Sequence, residues 1–205
     1  WESRTGFHSA LFNSTADPAT GDARYYNSND AVQAFLSRGV PASKLVLGIA
    51  SYGRGWTNVG SSNNGLFQGG TTAPGSVEPG IERYATLKAL GWPVYSDASS
   101  KARWIYDGRT FWSFDDPVTI ADKTAYAKVQ GLGGAFLWDF GGDDAQEIVA
   151  VAGHQIAFQH LVPFRDRFRK PVEVLFLLPR QLDRDEDADM QPQRFLVDGR
   201  DIAGD

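Results

Sequence analysis

The order of apolar runs in this chain predicts an α/β fold built on parallel strands. Lys44-Leu45-Val46-Leu47-Gly48-Ile49-Ala50 and Gly134-Ala135-Phe136-Leu137-Trp138 are short and almost wholly apolar, as strands covered on both faces are. A helical stretch with a polar start and a glycine stop precedes each, so helix and strand alternate. Both runs end in rings and polar groups: Ser51-Tyr52-Gly53-Arg54-Gly55-Trp56 after the first, Trp138-Asp139 and then Gly141-Gly142-Asp143-Asp144 at the second. Such residues at the C-terminal ends of parallel strands match the active face of a (β/α)₈ barrel. Two aromatic and polar strand ends suggest one shared cleft for a sugar-like ligand, with Gly53 and Gly55 opening room for it.

The elements follow in order. Residues 1–28 are rich in Asn, Ser, Thr, Asp, Gly and Pro and read as loop. Asn29 or Asp30 is placed to cap a helix over 31–38, which Gly39 stops and Pro41 follows. The strand over 44–50 comes next. Residues 57–76 show no usable periodicity. Ile81, Tyr84, Leu87 and Leu90 share one face of a helix expected over 80–90, with Gly91 as its stop. Trp92 to Trp112 reads as short strands turning at Ser96-Asp97 and Asp107-Gly108, so 57–112 is an α+β insertion between barrel-type units. Asp116 is an N-cap with Pro117 at the first helical position, for a helix ending at Gly131. A strand over 134–139 and a helix over 145–152 complete the pattern.

The bulk numbers narrow the function. With 205 residues, 42% hydrophobic and 22% charged, the chain has the composition of a globular protein. A net charge of −5 and the lack of a basic stripe argue against nucleic acid as a partner. There is no cysteine, which excludes a disulfide framework and thiolate metal sites. No apolar run approaches the roughly 18 residues that span a bilayer, so no membrane partner is expected. The chain opens at Trp1 without Met or a signal-peptide pattern and reads as a piece of a longer protein. On its own it is expected to be poorly stable or to associate.

Four segments carry a family resemblance: Trp1-Glu2 with Thr5-Gly6-Phe7-His8-Ser9-Ala10-Leu11-Phe12; Leu47-Gly48-Ile49 with Tyr52-Gly53-Arg54-Gly55-Trp56; Gly75-Ser76-Val77-Glu78-Pro79-Gly80-Ile81-Glu82-Arg83-Tyr84; and Ser113-Phe114-Asp115-Asp116-Pro117 with Gly131-Leu132-Gly133-Gly134-Ala135-Phe136-Leu137-Trp138. In this order and spacing, residues 1–153 resemble the C-terminal part of a glycoside hydrolase family 18 chitinase. The resemblance implies the last two to three units of a (β/α)₈ TIM barrel with an α+β insertion domain. Residues 1–56 would hold the units around strands six and seven, 57–112 the insertion, and 113–153 the last helices with strand eight. The tail over 154–205 stays unassigned. Its acidic run Asp185–Asp189 opens like a calcium loop, but Met190 and Leu196 stand where that loop needs Gly and Glu.

The same resemblance assigns substrate-binding roles. Trp138 would form the floor of the cleft, Tyr52 and Arg54 would hydrogen-bond sugar hydroxyls or the acetamido group, Trp1 would stack on the leaving-group side, and Glu78 is a weaker contact. Trp56, Trp92, Trp104 and Trp112 are expected to pack, and helix capping is the simpler role for Asp115 and Asp116. His8, His154 and His160 form no metal spacing, and no cofactor is expected.

Chemistry in the resembled family is substrate-assisted, with a Glu acid at the end of a D-x-x-D-x-D-x-E motif. That motif does not occur in these 205 residues; the nearest imitation, Asp183 to Met190, has Met in the acid's place. No catalytic residue is therefore assigned, and the chain alone is expected to be inactive. The implied function is a portion of a secreted, extracellular, polysaccharide-degrading hydrolase acting on chitin or chito-oligosaccharides. Two alternatives stay open: a non-catalytic, chitin-binding, lectin-like relative, and a structural domain whose Trp residues are core.

Overall fold

The computed structural model describes residues 2–138, 140–142 and 147; the helix expected over 145–152, apart from residue 147, the tail and Trp1 lie outside them. Among the described residues the order is α1 (Ser28–Ser37), β1 (Val46–Ala50), β2 (Tyr52–Thr57), β3 (Thr71–Thr72), β4 (Ile81–Arg83), α2 (Tyr84–Ala89), β5 (Val94–Asp97), β6 (Ala102–Tyr106), β7 (Phe111–Phe114), α3 (Pro117–Val129) and β8 (Gly134–Trp138). Two sheets hold them. β1 and β8 pair in parallel, with Val46 opposite Gly134 and Ala50 opposite Trp138. The other strands form an antiparallel sheet in the order β3-β2-β7-β6-β5, with β4 also on β2.

α1 is capped by Asn27, earlier than the spacing predicts. The Asn27 side chain accepts from the Asp30 N–H at 2.9 Å, and its amide donates to Asp30 Oδ2 at 2.8 Å. Four polar residues in a row each offer a cap. Tertiary contacts choose among them: Asn29 Oδ1 is occupied by the Tyr126 hydroxyl of α3 at 3.0 Å, which fastens the two helices together. At α3 the expectation holds. Asp116 Oδ1 accepts from Val118 and Thr119 N–H at 3.0 Å each, Thr119 returns a capping-box bond, and Pro117 stands in the first turn.

The stretch after β1 differs from expectation. Tyr52 to Thr57, read from the sequence only as the end of the preceding strand, forms a strand of its own, β2, reached by a bend at Ser51. Its glycines open room for packing on the face away from Tyr52 and Arg54. A Cβ at Gly53 would lie 2.5 Å from Leu87 Cδ1, and one at Gly55 would lie 2.3 Å from the Trp112 ring. The helix expected over 80–90 is also shorter, because Ile81–Arg83 is extended and pairs with β2. Buried Glu82 fixes that extension: it accepts from Ser76 N–H at 2.9 Å, Ser76 Oγ at 2.5 Å and Arg83 N–H at 2.8 Å. Tyr84 and Leu87 are buried as the pattern predicts, whereas Leu90 is 40% exposed. The turn expected at Ser96-Asp97 falls just beyond, over 98–101, and that at Asp107-Gly108 is in place.

Three apolar clusters bind these layers. Leu11, Val32, Leu45, Leu47 and Tyr126 join α1, β1 and α3. Ile49, Leu87, Trp112, Phe114 and Ile120 join the parallel pair to one face of the antiparallel sheet. Phe111, Trp104, Tyr106 and Leu66 fill the other face, with Phe7 and Trp56 packed against them. Burial of such side chains stabilises by about 1.5–3 kcal/mol each.

Candidate functional site

The two strand ends singled out from the sequence lie side by side. Ala50 faces Trp138 in the register of β1 and β8, and the next N–H, that of Ser51, donates to the Trp138 carbonyl at 3.0 Å. Ser51 is fully buried and its own carbonyl accepts from Tyr84 N–H at 2.9 Å, so the turn into β2 is fixed from both sides. Tyr52 follows directly, and the backbone thus joins the Tyr52 and Trp138 positions through one residue. The Trp138 side chain is 51% exposed. An indole left half in water at the end of a strand offers an apolar face to a sugar ring.

Tyr52 and Arg54 alternate onto one face of β2, both half-buried. The Arg54 guanidinium carbon lies 6.0 Å from the centroid of the Tyr52 ring, at the limit of a cation–π contact. Arg54 is opposite Ser113 of β7 on one side and Ile81 of β4 on the other. Glu78 is exposed in the turn before β4, where it bridges to Ile81 across a tight loop. Its carboxylate therefore sits three residues along the chain from the partner of Arg54.

The N-terminal segment covers this face. Phe7 packs edge-on to Phe67 at 5.6 Å and against Trp104 at 5.9 Å, and Trp56 Nε1 donates to the Glu2 carbonyl at 2.7 Å. His8 lies behind Tyr52, ring to ring at 4.8 Å. Burial, opposed by Asp115 and aided by the Arg54 and Lys123 cations, lowers the His8 pKa to about 3, so the imidazole is neutral at any ordinary pH. Beneath it Lys123 Nζ donates to both oxygens of Asp115 at 2.5 and 2.6 Å, with the two side chains 1% and 3% exposed.

This places Tyr52 and Trp138 at neighbouring strand ends, Arg54 two residues into β2, and Glu78 in the turn that leads into β4 beside it. Trp1 is outside the described residues. Trp104 and Trp112 are buried core, and Trp56 and Trp92 are partly buried against it, as expected. Asp116 caps α3, but Asp115 does not share that role, since it is the buried partner of Lys123. The sequence reading missed this pair and the place of His8. An eight-residue separation across a helix start and a lone histidine in a loop carry no local pattern; only the fold brings them together. Among the described residues no group of three or more His, Asp and Glu side chains could hold a metal ion.

Comparison with known proteins gives this arrangement a lineage. Chitinase C of Streptomyces lividans is 46% identical over 122 residues, which are 58% of this chain and 19% of that protein. The catalytic domain of the psychrophilic chitinase B from Arthrobacter TAD20 superposes with a TM-score of 0.69 at 34% identity, covering 74% of this chain and 34% of that one. A mutant class V chitinase from Nicotiana tobaccum, solved in complex with NAG4, gives 0.66 at 29% identity, covering 77% of this chain and 45% of that one. The chain thus spans about a fifth of the Streptomyces relative and less than half of either solved chain. These neighbours make the fold α/β and TIM-barrel-like. The family profile of the glycosyl hydrolases family 18 matches residues 1–143, most of the described chain, and on that match this protein belongs to the family.

Proposed function

We propose that this chain is the sugar-binding portion of a chitinase that hydrolyses β-1,4-linked N-acetylglucosamine polymers. The observation that carries the reading is the junction of β1 and β8, where a half-exposed Trp138 stands one residue from Tyr52, with Arg54 two residues further along the same face of β2. Trp138 offers a floor to the apolar face of a pyranose, while the tyrosine hydroxyl and the fixed fork of guanidinium donors suit hydroxyls and an acetamido oxygen. Glu78 contributes from the rim, and Trp1 stacks on the leaving-group side. The relatives' names support a chitin-type substrate, and the NAG4 complex of a solved neighbour supports a chito-oligosaccharide in the cleft.

In this reading the strands β1 and β8 are barrel strands seven and eight, and the antiparallel sheet is the insertion that raises one wall of the cleft. The reaction retains configuration: an acid protonates the glycosidic oxygen as the C1–O bond breaks, and the sugar's own acetamido oxygen attacks C1. Residues of this chain bind and orient; none supplies the acid. Action outside the cell follows from the size of a polymeric substrate. A second reading, a lectin-like chitin binder, uses the same cleft and differs from the first in lacking the acid.

The test is direct. The protein should bind chitotetraose, and Trp138→Ala should weaken that binding by about tenfold or more without lowering Tm. A folded Trp138→Ala variant with unchanged affinity rejects the cleft. The coding sequence upstream of Trp1 separates the two readings: Glu at the end of a D-x-x-D-x-D-x-E motif marks the enzyme, another residue there the binder.

A further inference from the structure

His8 is a polar side chain held where an apolar one would be cheaper. It is 5% exposed, and among the described residues neither ring nitrogen has a hydrogen-bonding partner. Leaving such groups unpaired costs stability, so its presence calls for a role. Both nitrogens are shielded from solvent, which rules out direct contact with a sugar in this conformation.

The residue is instead fixed with unusual thoroughness for a loop position. Its backbone N–H donates to Ser113 Oγ at 3.0 Å, and Ser113 is the β7 residue opposite Arg54. The next side chain, Ser9, donates to Asp115 Oδ2 at 2.8 Å and accepts from Lys123 Nζ at 2.9 Å. Thr119 Oγ1 donates to the other oxygen of Asp115 at 3.0 Å. These partners come from β7, from the start of α3 and from its middle, so the loop is tied to two elements at once. The ring held in this way lies against Tyr52 at 4.8 Å with the planes 51° apart. The charged groups facing it are Asp115, Arg54 and Lys123, and burial keeps the imidazole itself neutral.

We propose that His8 is a positioning residue for the Tyr52–Arg54 pair: its ring, carried on a loop that Ser113 anchors at the His8 backbone and Asp115 and Lys123 anchor at Ser9, sets the plane of Tyr52 and with it the sugar-facing geometry of β2. The proposal rests on the reading in which Tyr52 and Arg54 contact the sugar. Its specific consequence is that affinity for a sugar depends on a ring that the sugar never touches.

Two apolar replacements separate ring from bulk. His8→Phe keeps a flat ring behind Tyr52, and His8→Leu fills the space without one; neither leaves an unpaired polar atom. The measurements are the Kd for chitotetraose by calorimetry and Tm, on both variants, on Tyr52→Ala, and on the His8→Leu/Tyr52→Ala double variant. The expected result is an affinity within about twofold of the parent for His8→Phe and about tenfold weaker for His8→Leu, with no further loss in the double variant. Equal affinities for the Phe and Leu variants, or a His8→Leu loss that adds in full to that of Tyr52→Ala, overturn the positioning role while leaving the cleft reading intact. An unchanged affinity in folded Tyr52→Ala removes Tyr52 from the sugar site and this inference with it.

Discussion

Mild acid should destabilise this protein through His8, and the size of the effect follows from its burial. In the unfolded chain an imidazole titrates near 6.5, whereas in the fold burial lowers the value to about 3. Between these values the unfolded state carries a proton that the folded state excludes. Stability is therefore fully present above the unfolded value and falls as the pH drops through the window. The slope is about 1 kcal/mol per pH unit, so passing from roughly pH 7 to roughly pH 4.5 removes about 2–3 kcal/mol. That is a large share of the margin of an ordinary domain.

The depressed carboxylates Glu82 and Asp97 leave the upper part of the window, above the ordinary carboxylate range, clear. At Glu82 burial works against ionisation, but hydrogen bonds from Ser76 and Arg83 outweigh it and hold the carboxyl below its ordinary value. At Asp97 burial is likewise outweighed, by bonds from Ser14, Ser99 and Ser100. Groups depressed in this way keep their contribution above the ordinary carboxylate range and lose it only at lower pH. The assay is urea unfolding at a series of pH values for the parent and for His8→Phe. His154 and His160 are common to both, so the difference between the curves belongs to His8. The parent should lose about 2–3 kcal/mol relative to the variant by roughly pH 4.5. Parallel curves would show that His8 carries no such linkage, and the account of its burial would be wrong.

Three further outcomes follow from the packing. Lys123→Met leaves the Asp115 carboxylate buried without its cation and should cost about 3–5 kcal/mol in denaturant unfolding, with most of that recovered in the Lys123→Met/Asp115→Asn double variant. Asp116→Ala removes the cap of α3 and the ion pair with Arg103, and should lower stability by about 1–2 kcal/mol, visible as a drop in Tm. Gly55→Ala drives a methyl to within 2.3 Å of the Trp112 ring. It should cost about 1–3 kcal/mol and shift Trp112 fluorescence, while a silent substitution would mean that the sheet has more slack than its geometry allows.

What the sequence made legible was local. The capping of α3 by Asp116, the parallel strands around Leu47 and Phe136, and the juxtaposition of Tyr52 with Trp138 all follow from short patterns that survive into the fold. Expectations failed where tertiary contacts chose between local options. Asn27 caps α1 because Asn29 is taken by Tyr126. Residues 81–83 extend because Glu82 is tied to Ser76 and because β2 offers an edge to pair with. Gly53 and Gly55 signalled close approach correctly but not its partner, since a glycine records missing volume without recording what fills it. The buried set of His8, Ser9, Asp115 and Lys123 was beyond local reading, because its first two members stand more than a hundred residues from its last two and meet them only once β7 and α3 are in place.

The central claim, that Tyr52, Arg54 and Trp138 line one sugar cleft, is tested most directly by NMR titration of the isotopically labelled protein with chitotetraose. The account predicts that the largest shifts fall on the Trp138 indole N–H, the Arg54 side chain and the backbone from Ser51 to Gly55, and that all three report one Kd. Shifts confined to another face, such as the β5–β6 hairpin, with these groups unmoved at saturation, would contradict it.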